Sequence, residues 1–406
     1  MGKFTVRGGT PLIGSVRFSG SKNAALPIIF ASVITRGVSR FYNLPNITDV
    51  KDALGIIKDL GAEIHTEAGV TLIDTRDLHY SLPSADRVAK IRASTYLIGS
   101  CLARFGKAEL LPFGGCAFSH RPIDMHLDAA AKFGAGLDGN ILTTDSLRAA
   151  DISFRQPSVG ATVNALIMAA STKGESHITG AAREPHIQAL ISYLRSAGAE
   201  ISSDGSTYTV RGADLHGGMA VIPGDMIEAG TFIAASIVTE GAVSVSGFDT
   251  RELAAFTAPL RSRGVIEEVT DGGIILRGRP RREISVTTGA YPGFATDLQP
   301  ILSTILATSR GGEITDAVWP SRFGYLDELS RFGLSYSRNG NKARIFKSEI
   351  HPASVVATDL RGGAAAIILS LLAEGKSEIS SGETVLRGYD SLVEKLKNVG
   401  ADISYE

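Results

Sequence analysis

The chain has 406 residues, 44% apolar and 20% charged, a globular composition far from that of disordered segments. At about 150 residues per domain it is long enough for two or three domains. Its 41 Lys and Arg against 42 Asp and Glu leave a formal net charge of -1, without the basic excess of a dedicated nucleic-acid binder. Two cysteines cannot build a disulfide framework, and there is no CxxC or HxxxH spacing for a metal. No apolar run approaches the roughly 18 residues of a membrane span. The N-terminal MGKFTVRGG has no signal-peptide core, and Val6 breaks the myristoylation pattern. The expectation is a cytoplasmic protein with no metal, no membrane anchor and no nucleic-acid partner.

In chain order, a strand over residues 3–7 precedes an apolar helix over 23–35 that ends at Gly37, and SRFYNL reads as the next strand. An amphipathic helix then closes at Gly61 in LGAEI, followed by another strand. The same succession recurs. Apolar helices are predicted over 93–105, 160–172 and 363–373, and an amphipathic one over 389–398 with Leu392, Leu396 and Val399 on one face. The closing glycines Gly61, Gly134, Gly198, Gly264, Gly333 and Gly400 keep a spacing of 64–73 residues. A second series ends the apolar helices at Gly37, Gly106, Gly174, Gly241, Gly311 and Gly375 with a similar spacing. Two markers sharing one period define six copies of a βαβ-like repeat. A helix apolar all round asks for burial on every side. Six repeats divide into three plus three, and the strand over 3–7 is expected to pair with the last repeat, making the second domain discontinuous. An α/β solenoid is the other architecture, although its repeats are usually shorter.

Equivalent positions at the starts of the apolar helices hold Lys22, Arg92, Ser158, Asp297 and Arg361. Before the amphipathic helices stand Arg121, Arg183, Arg251, Arg322 and Arg387. Helix N-termini carry free N–H groups and the positive end of the dipole, so cations gathered there suggest bound anions. The alternative is pairing of these arginines with neighbouring carboxylates such as Glu184, Glu252 or Asp359. The loop LPFGGCAFSHRPID places Cys116 close in sequence to His120 and Arg121, a setting that can lower a thiol pKa, although on these residues alone a bystander loop cysteine is the favoured reading. Cys101, inside LIGSCLARFG, reads as an inert buried thiol. His120 and His126 are too far apart for a helical ligand pair, and Trp319 reads as core or cleft lining, core being the safer expectation.

SGSKNAALP at 19–27, KIRAS at 90–94, PFGGCAFSHRPIDMH at 112–126 and SVGATVNALIMAA at 158–170 resemble the UDP-N-acetylglucosamine 1-carboxyvinyltransferase (enolpyruvyl transferase) family. AAREP at 181–185, GTF at 230–232, FATDLQ at 294–299, ATDLR at 357–361 and RGY at 387–389 extend the resemblance to the end of the chain. It implies an α/β fold of two domains, an inside-out α/β barrel with three repeats per domain. The domains would be 22–221, carrying the cysteine loop, and 1–21 with 222–406, the active site lying in the cleft between them. It implies no cofactor and two small-molecule substrates, phosphoenolpyruvate and UDP-N-acetylglucosamine; protein partners are not indicated. Cys116 matches the acid that protonates C3 of phosphoenolpyruvate, the thiol that fosfomycin alkylates in the family. Asp297 matches the carboxylate beside the attacking hydroxyl. Lys22, Asn23, Arg121 and Arg387 match the phosphoenolpyruvate contacts. For the nucleotide sugar the matching positions are Asn23, Arg92, Arg121, Pro122, Ile123, Asp124, Met125, Ser158, Val159, Gly160, Asp297 and Val318. Arg322, Asp359 and Arg361 match a supporting charge network.

The chain departs from the family at three points. Gln156 stands where Lys is common, Trp319-Pro320-Ser321 replaces the usual Glu-Asn before Arg322, and Val385-Leu386 replaces His and Asp before Arg387. The rival readings are therefore a paralogue with another nucleotide or sugar acceptor, and a non-catalytic nucleotide-sugar binder. A 3-phosphoshikimate enzyme would show an N-A-G-T-A-x-R stretch in place of KIRAS and no cysteine loop.

Overall fold

The six glycines that close the amphipathic helices, Gly61, Gly134, Gly198, Gly264, Gly333 and Gly400, all take φ between 94 and 115°. A Cβ is strained there, so one residue type recurs where each repeat must turn from helix into strand. The computed structural model describes residues 2–114, 121–270 and 272–406. Cys116 and His120 therefore lie outside the described residues.

The chain divides into two units. One, the middle unit, comprises Gly20–Gly115 and His120–Pro223. The other, the split unit, is built from Met1–Ser19 and Gly224–Glu406. Among the described residues each holds three small sheets. Within a repeat, two strands flanking the apolar helix are parallel and a hairpin extends the sheet. Asp151–Ser153 and Glu175–Thr179 pair in this way around the helix Val159–Ala170. Ile284–Thr287 and Gly312–Thr315 flank Gln299–Ala307, and Ser354–Val356 and Gly375–Ser380 flank Leu360–Leu372.

Two repeats exchange their first strands. Ile13–Arg17 precedes the helix Lys22–Ala31 in sequence but pairs with Ala242–Ser246 of the split unit. Met219–Val221 precedes the helix Met226–Val238 but pairs with Val38–Tyr42 of the middle unit. Lys3–Gly8 runs antiparallel to both Gly375–Ser380 and Asp402–Tyr405, so the chain's first strand completes the sheet of the last repeat.

The apolar helices are central and the sheets lie outside them. In Val159–Ala170 ten of twelve residues are buried, and in Met226–Val238 and Leu360–Leu372 twelve of thirteen. The last two helices and Gln299–Ala307 pack mutually at the centre of the split unit. Small residues let helices approach closely. Gly99, in Leu97–Phe105, donates its N–H to Asn164 Oδ1 at 2.6 Å. A Cβ there would lie 2.8 Å from that oxygen and 2.9 Å from the Asn164 carbonyl.

Two helices differ from expectation at their starts. The second apolar helix opens as a 3-10 turn over Arg92–Tyr96, because Ser94 Oγ donates to the carbonyls of Val88 and Ile91 and tightens the chain. The final amphipathic helix spans Leu392–Asn398, and not 389–398, because Ser391 at φ 51° turns the backbone just before it. The apolar centre predicts one stability effect. Gly99→Ala forces a methyl against the side-chain and backbone oxygens of Asn164 and should cost about 2 kcal/mol, read as a lower midpoint in chemical denaturation.

Candidate active site

In the middle unit, Lys22 is the first residue of its helix and places Nζ 3.2 Å from Asp49 Oδ2. Asp49 lies in the first turn of Thr48–Asp59 and is buried, so a carboxylate fixes the ammonium that local sequence cannot position. Asn23, the next residue, is half-buried. Arg92 Nη2 donates to the carbonyl of Arg121 at 2.6 Å, tying the second apolar helix to the segment before Asp124–Lys132. Burial lowers the Arg92 pKa. Arg121, Ile123 and Asp124 are half-buried, Pro122 is exposed and Met125 is buried. The Arg155 guanidinium grips Asp124 Oδ2 and holds that carboxyl below its ordinary range. Ser158 caps the helix Val159–Ala170, its Oγ accepting from Ala161 N at 3.4 Å, and Gly160 follows in the first turn. Arg92 thus meets the segment 121–125 through Arg121, and Arg155, three residues before Ser158, meets it through Asp124.

In the split unit, Asp297 sits in a 3-10 turn, Thr296–Leu298, ahead of its apolar helix. Its Oδ1 meets Arg322 Nη1 at 2.7 Å and its Oδ2 meets Arg361 Nη2 at 3.6 Å. Both arginine side chains are almost fully buried, at 6% and 3% exposure, whereas Asp297 keeps 29%. The result is an accessible carboxylate held from behind by two guanidinium groups. Burial opposes the charge on Arg361, but Tyr389, Asp297 and Asp225 together raise its pKa above the ordinary value. The Arg361 guanidinium also lies 5.1 Å from the centre of the Tyr389 ring. Asp359 caps the same helix, accepting from the N–H groups of Arg361 and Gly362 at 2.9 and 3.0 Å. Arg387, half-buried, ends the 3-10 turn Gly382–Arg387.

Sequence reasoning missed Asp316. This fully buried carboxylate accepts from the hydroxyls of Thr288 and Thr296 and from the N–H groups of Val318 and Trp319, all at 2.7–2.9 Å. Thr296 Oγ1 in turn accepts from Arg322 Nη1 at 3.2 Å. One side chain therefore sets both the exposed Val318 and the arginine behind Asp297. The same turn holds Trp319 half-buried, not in the core as its type suggested. Asp225 was also missed. It caps Met226–Val238 and stands sixteen residues before Gly241, as Ser158 stands before Gly174, so the repeat offset was a usable signal.

The arginines that precede amphipathic helices do not act as a set. Arg251 is 87% exposed and satisfied by Asp249, and Arg183 is exposed, so the carboxylate-pairing alternative describes Arg251. Cys101 is buried, which pushes its thiol up to about 12. Among the described residues no cluster of His, Cys, Asp and Glu can hold a metal, and no helix is long and apolar enough to cross a membrane.

Central apolar helices, peripheral sheets and six repeats with charged side chains at the helix starts define the architecture of the enolpyruvyl transferases. The solved enolpyruvyl transferase NikO from Streptomyces tendae matches at a TM-score of 0.89 with 26% identity, covering 100% of this chain and 98% of that one. EPSP synthase from Acinetobacter baumannii shares the fold at a TM-score of 0.74 and 17% identity, each chain covered in full. The family model for EPSP synthase (3-phosphoshikimate 1-carboxyvinyltransferase) matches residues 6–396. The UDP-N-acetylglucosamine 1-carboxyvinyltransferase of Halothermothrix orenii is 38% identical over 99% of both chains. The UDP-N-acetylglucosamine 1-carboxyvinyltransferase 3 of Caldanaerobacter subterraneus subsp. tengcongensis is 37% identical with the same coverage. The chain belongs to the carboxyvinyltransferase (enolpyruvyl transferase) family, and its fold is that family's inside-out α/β barrel.

Asp316→Ala leaves four donors, that of Thr288 fully buried, without their acceptor and should cost about 3 kcal/mol, seen as a lower Tm in calorimetry. A second expectation concerns Glu228, which is buried 2.8 Å from Lys395 Nζ. Burial, with Asp225 and Asp390 adding, outweighs the ammonium and pushes its pKa from 4.5 to about 8. The unfolded chain then binds fewer protons, so this group's contribution to stability falls as pH rises from 4.5 towards 8. Glu228→Gln should flatten that slope in denaturation curves taken across the window.

Proposed function

We propose that the protein transfers the enolpyruvyl group of phosphoenolpyruvate to the 3-hydroxyl of UDP-N-acetylglucosamine with release of phosphate, the first committed step of peptidoglycan precursor synthesis, in the cytoplasm. The observation that carries this reading is the Asp297 carboxylate, kept accessible by the buried Arg322 and Arg361. Full-length relatives at 35–38% identity bearing that activity in their names support the choice of acceptor.

In this reading a lone pair of the 3-hydroxyl oxygen attacks C2 of phosphoenolpyruvate while Asp297 accepts the hydroxyl proton. The C2–C3 π pair takes a proton at C3 from Cys116, giving a tetrahedral ketal. The bond from C2 to the phosphate oxygen then breaks and phosphate departs with that electron pair, taking up the proton held by Asp297, while the Cys116 thiolate accepts a C3 proton and the C–H pair restores the double bond. Lys22, Arg121 and Arg387 neutralise the phosphate and carboxylate, with Asp49 orienting the Lys22 ammonium and Asn23 contributing a hydrogen bond. Fixed cations facing charge that grows in the transition state supply the largest share of such catalysis. Arg92, residues 121–125, Ser158, Val159, Gly160 and Val318 take the nucleotide sugar. Arg361, Arg322 and Asp359 hold the carboxylate side of the site in register.

One observation favours the paralogue with another acceptor. Gln156 is exposed and uncharged, and the neighbouring Arg155 engages Asp124, which changes the charge offered to a nucleotide. A single assay separates these readings: phosphate release from phosphoenolpyruvate with UDP-N-acetylglucosamine or with shikimate 3-phosphate, each with and without fosfomycin. Release with the nucleotide sugar only, abolished by fosfomycin, is expected. Release with shikimate 3-phosphate overturns the acceptor, and silence with both from folded protein shifts the assignment to another acceptor or to a binder without turnover.

A further inference from the structure

The segments 121–125 and 158–160 come from different repeats, and His126 is the side chain wedged between them. It is the third residue of Asp124–Lys132 and is 5% exposed. A Cβ built on Gly160 would lie 2.5 Å from His126 Nε2 and 3.1 Å from Cε1, so the ring fills the space where any other residue at 160 would carry its side chain. A backbone hydrogen bond to Ile123, one turn back, fixes the ring's direction. The close fit against Gly160, at a ring that is almost fully buried, points to a requirement for its shape.

The neighbours close a ring of contacts around this wedge. Asn164 Nδ2 donates to the carbonyls of Gly160 at 3.0 Å and Thr95 at 3.3 Å, while its Oδ1 accepts from Gly99. Arg92, three residues before Thr95, holds the carbonyl of Arg121. The first turn of Val159–Ala170 is thus fastened to the second apolar helix on one side and rests against His126 on the other. Helix geometry leaves the N–H groups of Val159 and Gly160 without intrahelical acceptors. Burial, and then the Arg92 charge, lower the His126 pKa to about 4, so the wedge is a neutral ring beside that guanidinium.

We propose that His126 is a positioning residue for the nucleotide-sugar acceptor: by filling the space left by Gly160 it sets the spacing between the helix start at 158–160 and the segment 121–125. This rests on the acceptor assignment made above. The role is one of shape shared between two positions, so the two residues are coupled. Gly160→Ala drives a methyl into the imidazole, and His126→Ala removes the ring and lets the helix start relax towards it. Each single change should weaken acceptor binding about tenfold. The double variant returns a methyl to vacated space and should recover most of that loss.

The experiment measures the Kd of UDP-N-acetylglucosamine by titration calorimetry on the full chain, with phosphate-release kinetics alongside. The set is wild type, Gly160→Ala, His126→Ala, His126→Asn and the double variant, with thermal melts on each. The expected result is weaker acceptor affinity in the single variants and recovery in the double variant. His126→Asn keeps a polar group of smaller volume and carries the test if His126→Ala does not fold. Additive losses in the double variant, or unchanged Kd in the single ones, overturn the proposal even if turnover is normal. Wild type that binds the nucleotide sugar without turnover would sink the proposed reaction and leave the His126 result decisive by Kd. Failure of wild type to bind overturns both.

Discussion

A helix buried on every side can hold no unpaired charge along its length, because removing an ion from water costs several kcal/mol that only a close partner returns. The central helices obey this rule almost throughout. Val159–Ala170 is buried over ten residues whose only strongly polar side chain, Asn164, is fully committed to Gly160, Thr95 and Gly99. Polar chemistry is displaced to the first turns, where free N–H groups, caps and loops coincide. Lys22, Arg92, Ser158, Asp225, Asp297 and Arg361 occupy those turns in successive repeats. The architecture thus concentrates reactive groups by denying them anywhere else.

Charge at these positions is organised by depth. Arg322 and Arg361 are buried behind Asp297, so their Coulomb attraction acts with little competition from water, while the carboxylate keeps access. Arg251 and Asp249 make a pair of similar geometry on the surface, where solvent screens it and it positions nothing. The contrast separates two arginines of equivalent sequence position. Glu228 and Lys395 show a third case, a buried pair in which the cost of desolvating the carboxyl exceeds what its partner returns.

Much of the candidate site was readable along the chain. The offsets from the closing glycines placed Lys22, Arg92, Ser158, Asp297 and Arg361 at helix starts, and the resemblance attached roles to them. The same offset pointed to Asp225, where a carboxylate caps the helix. Asp49, Asp316 and the fit of His126 against Gly160 were not readable. Each depends on two loops or helices from distant parts of the chain arriving within hydrogen-bond or van der Waals distance, and no periodicity encodes that arrival. Trp319 illustrates the point: its type suggests core, but two N–H groups bound to Asp316 hold its turn at the surface.

Local sterics and hydropathy were sufficient for the sixfold repeat, the buried helices and the turns at Gly61 through Gly400, because φ preference and side-chain transfer are properties of single residues and near neighbours. Membership of the carboxyvinyltransferases was equally legible, since its motifs run through the whole chain. Strand exchange was decided in three dimensions, as Ile13–Arg17 and Met219–Val221 pass their nearest helices and complete the sheets of other repeats. So was the choice of which carboxylate answers which arginine. Ion pairing depends on separation and burial, both set by packing among residues far apart in sequence, and that information exists only once the helices have met.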